Sequence, residues 1–115
     1  MIAHVVLFRP RADLTPAAKQ ALADAFVTAA RGIPSIRRAR AGRRVTLGRT
    51  YEALMRVDYQ YAAVLEFDDV AGLEAYLEHP SHADLAARFF DSFEEALMYD
   101  FELFTNGAGV ASGSA

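Results

Sequence analysis

The chain has 115 residues, of which 53% are hydrophobic, contains no cysteine and carries a formal net charge of −3 at pH 7. The length fits one domain with a hydrophobic core, and the lack of cysteine excludes disulfides, thiol catalysis and thiolate metal sites. The small negative charge argues against a general nucleic-acid binder, and no apolar run is long enough for a transmembrane helix.

The first half of the chain predicts a strand, a helix and a second strand. Residues 2–9 are rich in β-branched and aromatic residues, as strands are, and lack the basic start of a signal peptide, so we expect a cytoplasmic protein. A helix follows, with Thr15 as its N-cap and Pro16 in its first turn. Residues 35–47 predict a strand because their arginines recur with a period near two, and Gly42 indicates a bulge.

The second half predicts a strand, a broken helix and a last strand. Residues 58–67 alternate as a strand does, and residues 68–79 form an amphipathic helix capped by Asp68 or Asp69. Pro80 interrupts that helix. We expect it to restart with a capping box of Ser81 and Asp84 and to continue past residue 93, with a strand over residues 97–104. The restarted helix brings three phenylalanines into the predicted core, namely Phe89, Phe90 and Phe93.

The element order β-α-β-β-α-β predicts a ferredoxin-like α+β fold over residues 1–104, with a flexible tail of small residues over 105–115. In this fold a four-stranded antiparallel sheet carries its helices on one face. The first strand is apolar on both sides, and each Å² of apolar surface left in water forgoes about 25 cal/mol. We therefore predict a homodimer that buries the open sheet faces against each other, giving a dimeric α/β barrel.

Charge is distributed unevenly along the chain. Residues 31–49 contain seven arginines and no acid, whereas residues 66–102 contain eleven acids and one arginine. We favour mutual neutralisation or solvated faces for these segments, and an anion or phosphate patch is the alternative.

The segment YLEHPSH, residues 76–82, is the candidate site. The break at Pro80 lets Tyr76 and His82 point into the same space between helices and sheet, which His4 can enter from the first strand. A histidine in an apolar pocket stays neutral and can act as a general base, while a tyrosine hydroxyl can donate to a developing oxyanion. A histidine at a helix start is more often a cap, and a tyrosine more often core, so both interpretations stay open. No spacing indicates a metal site, and we expect no cofactor.

The segments HVVLFR, GIPSI, HPSH and YDFE, in this order, resemble the stress-responsive dimeric α/β barrel (Dabb) family over residues 2–104. The resemblance implies a ferredoxin-like subunit and a sheet-to-sheet dimer. At the site the chain is similar to the branch of plant olivetolic acid cyclases, which close an aldol ring without a cofactor. That similarity implies Tyr76 and His82 as catalytic residues. It also implies a set of substrate-binding residues: His4, Val6, Phe8, Phe26, Ala63 and Phe93.

Three functions follow from this resemblance and from the residue types. The first is binding of a hydrophobic, oxygen-bearing small molecule with cyclase-like acid–base catalysis. The second is cofactor-free oxygenation of a phenol-like compound. The third is a stress-associated binding protein without turnover.

Overall fold

A computed structural model describes residues 1–104, and these form a four-stranded antiparallel sheet with three helices. The strands are β1 (Ile2–Pro10), β2 (Arg38–Arg43), β3 (Tyr61–Phe67) and β4 (Phe93–Glu102). The helices are α1 (Pro16–Gly32), α2 (Val70–Glu78) and α3 (Pro80–Phe90), with a 3-10 turn at Thr50–Leu54. The sheet order β2-β3-β1-β4 confirms the ferredoxin-like prediction. The tail predicted for residues 105–115 lies outside the described residues.

The strand register determines which side chains face the helices. In β1 the even-numbered residues from 2 to 8 point inward, and the ladder sets His4 opposite Leu65 and Phe8 opposite Tyr61 on β3. Because side chains alternate along a strand, odd residues of β3 share that face. Leu65 and Phe67 are fully buried there. The core therefore lies between the inner sheet face and one helix layer, completed by Ala25 and Ala29, Leu73 and Tyr76, and Leu85.

The helix starts follow from their capping residues. The Thr15 hydroxyl accepts the Ala18 backbone N–H at 3.1 Å, and the Asp69 carboxylate accepts that of Gly72 at 2.8 Å. At α3 the cap is His79, whose Nδ1 accepts the backbone N–H of Ser81 at 3.0 Å.

The predicted capping box of Ser81 and Asp84 is therefore wrong. Proline has no N–H to satisfy and a backbone angle suited to a first helical position, so α3 starts at Pro80 and includes Ser81.

The start of β4 also differs from the prediction. The helix α3 ends at Phe90, where the Ser92 hydroxyl donates to the Arg88 carbonyl at 2.6 Å and the Ser92 N–H to that of Phe89 at 2.9 Å. Phe93 then pairs with Pro10 and begins the strand, four residues before the predicted start at residue 97.

The three phenylalanines form a cluster at the edge of the molecule. The ring centroids of Phe89 and Phe93 lie 4.8 Å apart, and Phe90 contacts both rings, but Phe90 remains 59% exposed. The prediction that all three belong to the core is wrong, because the helix ends with Phe90 on its solvent side.

The arginine-rich strand β2 is shorter and more regular than predicted. Its ladder with β3 runs from Arg38 opposite Glu66 to Arg43 opposite Tyr61 without a register shift, so the bulge predicted at Gly42 is wrong. Gly42 does not have a positive φ, so nothing in its backbone interrupts the ladder.

Ion pairs account for much of the positive charge around β2. Arg37 lies 2.7 Å from Asp68, Arg44 lies 2.8 Å from Asp58, and Arg38 and Arg40 lie 3.7 and 3.9 Å from Glu66. Mutual neutralisation of the two segments is confirmed for Arg37, Arg38 and Arg40, whereas the partner of Arg44 lies outside residues 66–102.

No α-helix of residues 1–104 covers the outer face of the sheet. Apolar side chains from the three strands β1, β3 and β4 form this face, which we call the open face: Val5, Leu7, Ala62, Val64, Leu97, Tyr99 and Phe101. Tyr99 and Phe101 are 57% and 52% exposed and their ring centroids lie 6.4 Å apart. None of the helices in the described part of the chain has the length and hydrophobicity to cross a membrane.

Candidate functional site

A cavity of about 850 Å³ lies between the inner sheet face and the helices α1 and α3. This volume falls in the range of small-molecule sites, which are mostly apolar with a few polar groups. Aromatic and aliphatic side chains make most of the wall, including Val6, Phe8, Phe26, Ala63, Leu85 and Phe89. The polar residues on its wall include His4, Tyr76 and His82, the three predicted candidates for acid–base chemistry.

His4 is held in place by Asp100, its direct neighbour across the β1–β4 ladder. The His4 Nδ1 lies 2.6 Å from the Asp100 Oδ1, and the His4 side chain is only 11% exposed. An ionised carboxylate only accepts hydrogen bonds, so Nδ1 carries the proton. In the neutral ring Nε2 is then the proton acceptor.

Tyr76 lies between the two histidines. Its ring centroid is 4.6 Å from that of His82 and 5.8 Å from that of His4, with Phe67 behind it at 5.4 Å. The residue is 3% exposed, because it projects from the buried face of α2. No described side-chain hydrogen bond involves its hydroxyl, and Ser35 Oγ is the one fully buried side-chain polar atom without a partner among residues 1–104. Tyr76 also lines the cavity, where a bound molecule can reach it.

The helix break positions His82. His79 has an extended backbone between α2 and α3, and its carbonyl accepts the His82 N–H at 2.9 Å. His82 thus sits in the first turn of a new helix, where its ring can meet Tyr76 from the previous one. Without the redirection at Pro80, the two residues would continue along a single helix.

Burial shifts the pKa values of Tyr76 and His82 in the directions that acid–base catalysis needs. Desolvation raises the pKa of Tyr76 to about 12, so the hydroxyl stays protonated near neutral pH and can donate a hydrogen bond. Desolvation lowers the pKa of His82 below 6.5; the Leu77 carbonyl partly offsets this, and the charge of His4 adds to it. His82 is therefore a neutral base near pH 7.

Residues 2–103 match the stress-responsive A/B barrel domain, Dabb. The chain belongs to the Dabb family. No curated protein matches the sequence.

Several solved structures share the fold of this Dabb domain. A protein from Arabidopsis thaliana superimposes with a TM-score of 0.74 at 18% identity, covering 91% of this chain and 97% of that one. A dimeric ferredoxin-like protein of unknown function from Thermobifida fusca gives 0.70 at 26% identity, covering 89% and 90%. Hydroxynitrile lyase from Passiflora edulis gives 0.74 at 17% identity, covering 90% and 96%.

The Dabb domain places seven of the eight predicted site residues on the cavity wall. Phe93 is the exception: it lies in β4 and packs against Phe89, which itself lines the cavity. The cavity thus brings together His4, Val6, Phe8, Phe26, Ala63, Tyr76 and His82.

Asp100 was not predicted as a site residue. Its position could have indicated this role. Asp100 is an acid on the inner face of β4, between Met98 and Glu102, and it lies directly opposite the buried His4 in the ladder. The motif YDFE contains Asp100, but the family resemblance assigns it no role at the site. Within residues 1–104, no three histidine, cysteine, aspartate or glutamate side chains converge as metal ligands would.

Proposed function

We propose that this Dabb protein binds a hydrophobic, oxygen-bearing small molecule in the cavity and catalyses a cofactor-independent proton transfer on it, as a cyclase or lyase. The observation that carries the proposal is the placement of the buried Tyr76 ring between His4 and His82 on the wall of one apolar cavity. A neutral base and a protonated hydroxyl donor then face the same bound molecule.

In a cyclase reaction, His82 takes a proton from a carbon next to a carbonyl, and Tyr76 donates to the oxygen on which charge develops. The enolate carbon attacks a second carbonyl of the same molecule and forms a carbon–carbon bond. The resulting alkoxide takes the proton back from His82, so the base is regenerated and atoms and charge balance without a cofactor. The similarity of the HPSH segment and Tyr76 to olivetolic acid cyclases supports this reaction.

In a lyase reaction the same two residues act on a hydroxyl. His82 takes the hydroxyl proton, the bond from the carbinol carbon to its leaving carbon breaks, and a carbonyl compound forms. The leaving carbanion, such as cyanide, then takes the proton from His82. The shared fold with a hydroxynitrile lyase supports testing this reaction beside the cyclase reaction.

His4 is proposed as a binding or orienting group. The Asp100 carboxylate fixes which ring nitrogen carries the proton, so the other can accept a hydrogen bond from a substrate hydroxyl. A base oriented by a carboxylate is a common arrangement in acid–base sites.

We further propose that a second copy of the chain covers the open face. Five of its seven apolar side chains are half-buried, and Tyr99 and Phe101 are more than half exposed. Soluble proteins avoid leaving large contiguous apolar patches in water. The Thermobifida fusca relative is described as dimeric, which supports the proposal.

The proposed function is tested with two ultraviolet assays on purified protein. One follows benzaldehyde release from mandelonitrile. The other follows aldol closure of a linear diketone, whose hydroxy ketone product then loses water to give an ultraviolet-absorbing cyclohexenone. Turnover of either compound that falls by about 10²-fold or more in His82→Ala would support the proposal. His79→Asn is the matched control, since it replaces the neighbouring histidine outside the cavity and keeps a capping side chain.

Two results would overturn the catalytic assignment. One is no turnover of either compound class. The other is a His82→Ala variant as active as wild type. Thermal stabilisation by such compounds without any turnover would leave a binding protein, the non-enzymatic alternative.

A further inference from the structure

The cavity has a second polar end, distant from the histidines. Arg43, the last residue of β2, lies on the inner sheet face opposite Tyr61, and Lys19 extends from the second turn of α1. Both line the cavity and both are exposed, so they stand at its mouth. Neither has a carboxylate within ion-pair distance in the part of the chain that the structure describes, unlike the neighbouring Arg44 with Asp58.

The charge of the cavity wall is one-sided. Its lining includes the two cationic side chains Arg43 and Lys19, and it includes no aspartate or glutamate of residues 1–104. Asp100, the acid nearest the site, sits behind His4 and outside the lining. A wall with cations and no acid attracts anions, more so where low-dielectric surroundings limit screening.

The register gives the separation of the two polar ends. The cross-strand row that contains His4 continues through Leu65 to Ala39, and the row that contains Phe8 continues through Tyr61 to Arg43. Phe8 is four residues beyond His4, which at about 3.3 Å per residue separates the rows by about 13 Å along the strands. The wall between the rows is apolar, with Val6 and Ala63 on it.

We propose that the ligand of this cavity is an elongated amphipathic carboxylic acid, whose carboxylate is held by Arg43 and Lys19 at the mouth. Its apolar body spans the wall of Val6, Phe8 and Phe26, and its oxygen-bearing far end meets Tyr76 and His82. The inference rests on the proposed function, because it names the substrate class of the same site. An arginine guanidinium suits a carboxylate in particular, since its planar donors match both oxygens.

The test compares three molecules that share an apolar body: octanoate, octanamide and octylamine, titrated by calorimetry at low and high salt. We expect octanoate to bind about tenfold more tightly than octanamide at low salt, as charge-assisted hydrogen bonds are stronger than neutral ones. Octylamine is expected to bind most weakly. High salt should reduce the advantage of octanoate, because the mouth is exposed and screened.

The double variant Lys19→Gln, Arg43→Gln should bind octanoate and octanamide equally and leave octanamide affinity unchanged. Arg31→Gln is the matched control: it removes one charge from the last turn of α1, away from the cavity lining, and should keep the preference. Equal binding of octanoate and octanamide by wild type, or a preference that survives in the double variant, would overturn the inference alone. Failure of all three molecules to bind would overturn small-molecule binding and the inference together.

Discussion

The Tyr76→Phe substitution separates the chemistry of the site from its packing. It removes only the hydroxyl, which makes no described hydrogen bond, and keeps the ring in contact with Phe67 and His82. Since the hydroxyl has no side-chain partner within residues 1–104, its removal leaves none of their donors or acceptors unsatisfied. We therefore expect the free energy of unfolding to change by less than about 1 kcal/mol. For a domain of this size that is a shift in Tm of less than about 8 °C.

The rate should respond far more than stability. Loss of one oxyanion donor typically lowers kcat by about 10²–10³-fold. Tyr76→Ala gives the contrast, since truncating a buried aromatic ring costs about 3–5 kcal/mol and should lower Tm strongly. Turnover of the best substrate and thermal unfolding would be measured on the same preparations. Unchanged turnover in Tyr76→Phe, or a Tm as low as that of Tyr76→Ala, would refute the reasoning.

Four further predictions concern the pH response of the site, the open face and the strand β2. The kcat/KM of wild type should rise with pH with a midpoint below 6.5, because burial lowers the pKa of His82. It should then stay level into the alkaline range, because burial raises the pKa of Tyr76 to about 12. A profile that still rises above pH 8 would contradict His82 as the base. Stability should fall as pH drops below 6.5, because the unfolded chain binds the His82 proton more tightly than the folded chain does. Leu7→Asp on the open face should give monomer or aggregate in light scattering. The control Ala17→Asp, on the exposed side of α1, should leave the dimer intact. A wild-type monomer at micromolar concentration would disprove the dimer. Arg38→Ala should change the free energy of unfolding by less than about 1 kcal/mol, because its pair with Glu66 is exposed on the arginine side. Tight, salt-sensitive binding of random DNA to the wild-type protein would show that β2 has been misinterpreted.

The sequence predicts the fold well where one local pattern determines the structure. The alternation along β1 and β3 assigns inner and outer faces, because a strand has only two. Thr15 and Asp69 mark helix starts, because their side-chain oxygens satisfy backbone N–H groups there. The spacing of Tyr76 and His82 around Pro80 likewise predicts that both reach one space, and their rings do meet.

Local patterns fail where two structures fit the same residues. Phe89 and Phe93 are four apart, which suits one helix face, yet Phe93 belongs to β4 because Ser92 closes the helix and Pro10 supplies a strand partner. Gly42 has the backbone freedom for a bulge but lies in an uninterrupted ladder. In both cases pairing with the neighbouring strand determines the structure, and the local sequence pattern carries no information about that strand.

The site needed information of the same long-range kind. His4 and Asp100 are 96 residues apart in sequence, and only the β1–β4 register brings them within 2.6 Å. The cationic mouth likewise joins Arg43 and Lys19, from a strand end and a helix that the sequence connects only through the whole fold. The arginine-rich segment predicted an ion-paired strand, but which arginine would face the cavity depended on the pairing of β2.

Chemical rescue of His82→Ala by imidazole tests the central claim most directly. The cavity of about 850 Å³ has room for a free imidazole beside Tyr76 once the His82 ring is removed. We predict that added imidazole restores a substantial part of the lost turnover in His82→Ala in proportion to its neutral form, and restores none in Tyr76→Phe. Full activity of His82→Ala without imidazole, or a loss that imidazole cannot restore although substrate still binds, would contradict His82 as the base.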